Sequence, residues 1–124
     1  MTKGNRVCGM ISMNWTELKS PDQLDVIREE SNSKPVLIFK HSSRCSISRL
    51  ALDRLERKWG QEAQGIKPYF LDLISYRDIS NHVAHQFDVE HESPQVLLIR
   101  NGNAVYDRSH YDIEFGGIVA AANN

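Results

Sequence analysis

Two uninterrupted apolar runs, Val36-Leu37-Ile38-Phe39 and Val96-Leu97-Leu98-Ile99, stand out in a chain whose other hydrophobic positions are mostly spaced out among polar ones. A run of strand formers without polar alternation predicts a strand covered on both faces, as in a sheet with helices on each side. The second run leads into Asn101-Gly102, a strong hairpin signal, so Ala104-Val105-Tyr106 is predicted as its antiparallel neighbour. After the first run, Ile47, Leu50, Ala51, Leu55 and Trp59 recur at helical spacing and predict a helix up to Gly60. An earlier helix is announced by Ser20-Pro21-Asp22-Gln23, which supplies an N-cap, a proline at the first helical position and a capping-box glutamine. Leu24, Val26 and Ile27 form its apolar face, and Ser31-Asn32-Ser33 closes it. A short strand is expected at residues 14–18, and another from Tyr69 to Ile74, where Asp72 suggests a position near the edge or a polar pocket. Ser75 is the expected N-cap of a helix carrying Ile79, Val83, Ala84 and Phe87, and Asp112 that of a last helix weakened by Gly116-Gly117. The order β-α-β-α-β-α-β-β-α, with right-handed crossovers, predicts an α/β fold: a mixed sheet of four or five strands flanked by helices on both faces.

At 124 residues and 40% hydrophobic composition, the chain is one domain with enough apolar material for a core. Residues 1–13 are read as a mobile N-terminal extension, since Met10 and Met13 could each be a start, and residues 14–124 as the domain. A net charge of −1 lacks the basic footprint that nucleic acid or anionic lipid would require, so neither is an expected partner. Cys8 and Cys45 are too few and too widely spaced for a disulfide scaffold or a structural zinc site. Neither a signal-peptide core nor a membrane-length apolar stretch is present in the sequence, and the reading is a cytoplasmic protein in a reducing compartment.

The chemistry concentrates at His41-Ser42-Ser43-Arg44-Cys45, between the first apolar strand and the helix that follows it. A cysteine at a helix start meets unpaired amides and the positive end of the helix dipole, which favour its thiolate. Arg44 and Arg49 act in the same direction, and Arg44 and Ser46 form the polar, cationic surroundings of a reactive rather than a buried thiol. Ser48 lies one helical turn on, within reach to donate a hydrogen bond to the sulfur, yet unable to form a disulfide. The tetrad is C-x-x-S, with one nucleophile and no local resolving thiol. His41 either tunes the thiolate or merely ends its strand. His82 and His85 have no ligand partners in a metal pattern and are read as surface residues. A phosphatase loop would need an arginine where Ala51 stands, and no glycine-rich phosphate loop is present.

These residues, together with a proline directly before the penultimate strand, resemble a thioredoxin fold. More narrowly, Trp15-Thr16-Glu17-Leu18, the segment Phe39 to Ser48, and Ser93-Pro94-Gln95 resemble the monothiol bacilliredoxin-like YtxJ family. The resemblance implies thiol–disulfide exchange on mixed disulfides between protein cysteines and a low-molecular-weight thiol such as bacillithiol. Cys45 would be the attacking residue, and Ser48 would occupy the place of a resolving cysteine in dithiol relatives. Pro94 would be the family's cis-proline, with Ser93 and Gln95 offering backbone groups to an extended substrate. Family members usually have proline where Ser46 stands. No bound cofactor and no metal is expected; the small thiol is a co-substrate, and S-thiolated client proteins are the partners. Cys8 is the rival resolving thiol. The competing reading is a redox-inactive thioredoxin-fold module that binds a protein through the cis-Pro groove or the Trp-bearing faces.

Overall fold

The computed structural model describes residues 13–124. In chain order its elements are β1 (Thr16–Glu17), α1 (Asp22–Glu30), β2 (Val36–His41), α2 (Ser46–Lys58), β3 (Lys67–Asp72), α3 (Arg77–Phe87), β4 (Gln95–Arg100), β5 (Asn103–Ser109) and α4 (Phe115–Ala122). They form one five-stranded sheet in the order β1-β3-β2-β4-β5. β1, β3 and β2 are parallel, while β4 runs antiparallel to β2 and β5 antiparallel to β4. This is a thioredoxin-like α/β sheet, and β2 is central because its whole length is buried.

The two faces of β2 divide the core. Val36 and Ile38 pack with Leu24 and Ile27 of α1 and Ile79, Val83 and Phe87 of α3. Leu37 and Phe39 point the other way, onto Ala51 and Leu55 of α2 and Ile118 and Ala122 of α4. A strand's side chains alternate between faces, so an unbroken apolar run is what a doubly covered strand requires. At the hairpin, Asn101 (φ 51°) and Gly102 (φ 79°) both take left-handed backbone, as a two-residue turn matching the sheet twist demands.

Several boundaries differ from expectation for local reasons. β1 contracts to two residues, although the Leu18 N–H still donates to the Phe70 carbonyl at 2.8 Å. At α1 the returning half of the capping box forms: Gln23 Oε1 accepts from the N–H groups of Ser20 (3.0 Å) and Lys19 (2.6 Å). Val26 is exposed, outside the face that Leu24 and Ile27 bury. β3 stops at Asp72 because the Asp72 carboxylate accepts from Ile74 N–H (3.0 Å) and Ser75 Oγ–H (3.1 Å), making a side-chain turn. Ser75 is therefore not the N-cap; α3 starts at Arg77, after Tyr76. Asp112 lies in a 3-10 turn, His110–Asp112, and α4 begins only after Glu114. Met13, assigned to the extension, packs against the α2/α4 side of the core. The remaining extension, including Cys8, lies outside the described residues.

Candidate active site

The carboxyl end of β2 delivers the chain into the turn Ser42–Cys45, which is closed by the Cys45 N–H donating to the Ser42 carbonyl at 3.1 Å. Cys45 occupies the N-cap of α2 with extended backbone (φ −108°, ψ 121°), and its carbonyl accepts the first helical bond, from Arg49 N–H at 3.1 Å. It is a free, partly exposed thiol. The first N–H groups of a helix have no intrahelical acceptor, and as the N-cap residue Cys45 stands beside them. Arg44 and Ser46 flank it as exposed residues. The Arg49 guanidinium donates to the Ser43 carbonyl at 3.1 Å and thereby braces the turn.

Ser48 does not serve the sulfur as the sequence suggests. Its side chain is fully buried, and Oγ accepts the Ser42 N–H at 3.0 Å while lying 2.7 Å from His41 Nδ1. Burial above all lowers the His41 pKa from 6.5; Arg49 lowers it further and Asp72 works against both. The ring is thus neutral at neutral pH. The Ser48 hydroxyl ties the turn to the histidine ring. Ser48 shares the buried stripe of Ala51 and Leu55, whereas Leu50, which the apolar pattern counted with them, is 47% exposed. A small hydroxyl that can bond both the turn and the histidine fits under the helix start.

The Ser93–Pro94 peptide bond is cis, Pro94 is buried, and Ser93 is partly exposed. Lys40 pairs with Gln95 across β2 and β4, so Pro94 enters the sheet beside the strand end that leads to Cys45. Gln95 is not an accessible contact: it is 1% exposed, within the ladder between β2 and β5. Its side chain instead shapes the preceding loop, with Nε2 donating to the Glu90 carbonyl at 3.0 Å and Oε1 accepting from Glu92 N–H at 3.4 Å. The pattern of the sequence missed Lys40, which is fully buried on the opposite face of β2 from His41 and lies 3.3 Å from His91 Nδ1. A lysine after four apolar residues reads as a strand end; only the register shows it inside.

A concavity of about 520 Å³ between β5 and α4 is lined by Tyr106, Arg108, Tyr111 and Glu114, and Cys45 is not part of it. Among the described residues no three His, Cys, Asp or Glu side chains group as a metal site, and no helix is long and apolar enough to cross a membrane.

The chain matches the family described as monothiol bacilliredoxin BrxC over residues 16–118. A solved structure with a thioredoxin fold, provisionally assigned as an oxidoreductase, is 33% identical; the match covers 88% of this chain and 93% of that one, with a TM-score of 0.73. A thioredoxin from Malassezia sympodialis is 14% identical with 96% of both chains covered and a TM-score of 0.69. Thioredoxin f2 from Chlamydomonas reinhardtii is 17% identical, covering 89% of this chain and 94% of its own, with a TM-score of 0.66. At those identities the last two speak to the fold alone.

Proposed function

Because this chain belongs to the monothiol bacilliredoxin family, we propose that Cys45 performs monothiol exchange, removing a low-molecular-weight thiol of the bacillithiol type from mixed disulfides on client proteins. The observation that carries this reading is the pairing of a partly exposed thiol at a helix N-cap with a buried, hydrogen-bonded serine where a resolving thiol would have to react. The Cys45 thiolate attacks the small-thiol sulfur of the client disulfide. One S–S bond breaks, a new one forms to Cys45, and the client leaves as a thiolate that takes a proton from water. A second small-thiol molecule, as its thiolate, then attacks the small-thiol sulfur on Cys45, releasing a symmetric small disulfide and regenerating the Cys45 thiolate. Overall the free small thiol is oxidised as the client sulfur is reduced, while the small-thiol sulfur that began on the client stays at the disulfide level throughout. The partly exposed Ser93, beside the buried Pro94, is where the client chain is received in this reading. On the same reading the reaction uses a small thiol as co-substrate rather than a bound cofactor, and the cytoplasm is the compartment proposed for it.

The test is turnover of an S-thiolated protein in the presence of the small thiol. Cys45→Ser is expected to abolish both the mixed disulfide on the enzyme and turnover, while Cys8→Ser leaves turnover intact. Loss of turnover in the Cys8 variant with trapped Cys45 mixed disulfide would move resolution onto Cys8. A wild-type Cys45 that alkylates no faster when folded than when denatured, and exchanges with no disulfide, would sink the redox reading and leave a binding module.

A further inference from the structure

Lys40 is a charged side chain fully buried in the central strand, and the exchange chemistry at Cys45 has no use for it. Its Nζ lies 3.3 Å from His91 Nδ1, and Ser80 Oγ, from α3, lies 3.1 Å from the same nitrogen. A lysine ammonium only donates, so a neutral His91 with its proton on Nε2 is the partner that fits. His91 is in the loop that leads into Ser93–Pro94, and Gln95, the cross-strand partner of Lys40, holds the same loop through Glu90 and Glu92. The loop beside the active-site end of the sheet is therefore fastened from beneath at two adjacent points, by an amide and by an ammonium.

We propose that Lys40 is a positioning residue for client binding: its buried ammonium, held against His91, fixes the loop that presents Ser93 and Pro94 to the client chain. The inference rests on the exchange reading above. The charge is maintained at a cost, since burial foremost and then the Arg77 guanidinium push the Lys40 pKa down to about 8. The groups facing the pair account for its state. Burial, Lys40 and Arg77 all lower the His91 pKa while Glu92 raises it, so His91 stays a neutral acceptor at neutral pH. An apolar side chain would fill this place without such opposition, so the lysine is explained by what its charge holds, the His91 ring.

The experiment compares wild type, Lys40→Met and His91→Ala on three probes: iodoacetamide, a small symmetric disulfide, and a peptide carrying a small-thiol mixed disulfide. Both variants are expected to stay within about twofold of wild type on the first two probes, and to raise KM for the peptide about tenfold or more with kcat little changed. The double variant is expected to be no worse than the weaker single, as for residues acting through one contact. In Lys40→Met the His91 ring resonance is expected to titrate at higher pH than in wild type, because a neighbouring positive charge is gone. Equal losses on small disulfide and peptide would place Lys40 in the thiol chemistry and overturn the proposal, as would an unchanged peptide KM in both variants. Should Lys40→Met fail to fold, His91→Ala decides alone. A wild type that alkylates but exchanges with neither disulfide would refute the exchange reading instead.

Discussion

At position 48 the hydroxyl accepts from the Ser42 N–H and is hydrogen-bonded to His41 Nδ1, both away from the sulfur. Ser48→Ala leaves the Ser42 N–H without its acceptor and His41 Nδ1 without its partner. A stability loss of about 1–3 kcal/mol is expected by urea denaturation, the cost of stranding buried polar groups. The His41 shift carries a pH consequence. Because its folded pKa is lowered, the unfolded chain takes up the proton first as pH falls, so the stability from the neutral ring is full above 6.5 and is lost as pH drops toward the lower folded value. His91 is shifted the same way, so the informative quantity is the difference between proteins. Wild type is expected to lose more Tm than His41→Gln on going from about pH 7 to about pH 5. Lys40 behaves likewise at the alkaline end. Its folded pKa of about 8 lies under the ordinary lysine value of 10.5, so stability rises with pH between those values and is lowest below them. Replacing the buried charge by a similar apolar volume in Lys40→Met is accordingly expected to raise stability at neutral pH, by about 1–4 kcal/mol in denaturant unfolding. A more stable variant that binds its client worse is the signature of a residue kept for function.

At the level of elements, the adjacent glycines of α4 separate propensity from packing. A Cβ at Gly116 would meet open space, whereas one at Gly117 would run into the Tyr106 hydroxyl. Gly116→Ala is expected to stabilise by up to about 1 kcal/mol, from helix propensity. Gly117→Ala is expected to gain less or to lose, because Tyr106 has to move from its place against the helix and from its stacking partner Arg108 at 4.3 Å. Thermal unfolding of the two variants side by side checks the contrast. α2 shows the same principle at its start. Periodicity placed Leu50 inside together with Ala51 and Leu55, but Ser48 is the polar residue that shares their buried face, and Leu50 is exposed on the helix that carries Cys45.

For the whole molecule, the arrangement that matters is that the cysteine turn and the cis-proline loop leave the same end of one sheet, with β2 and β4 adjacent and antiparallel. The chain crosses from β3 through α3 before returning as β4, so the two parts of the site are separated in sequence by an entire crossover. Pairing the buried strands joins them. A rigid two-strand support positions Cys45 independently of the client, which is why small reagents and peptide substrates are expected to respond differently to changes in the loop.

Much of this was legible in residue order alone, and for a physical reason: element type follows from local spacing. The doubly covered strands at 36 and 96, the Asn101-Gly102 hairpin and the cysteine at the start of α2 each depend on neighbours within a few residues. Element ends were less legible, because side chains such as the Asp72 carboxylate can satisfy the backbone and stop a strand early. What only the tertiary structure decided is where long-range polar bonds go. The Ser48 hydroxyl could face sulfur or histidine, Gln95 could be accessible or buried, and Lys40 could end its strand in water or lie beneath the His91 loop. Each choice was made by strands and helices distant in sequence, which set the register, exclude water and leave a buried donor only the acceptors that packing brings to it.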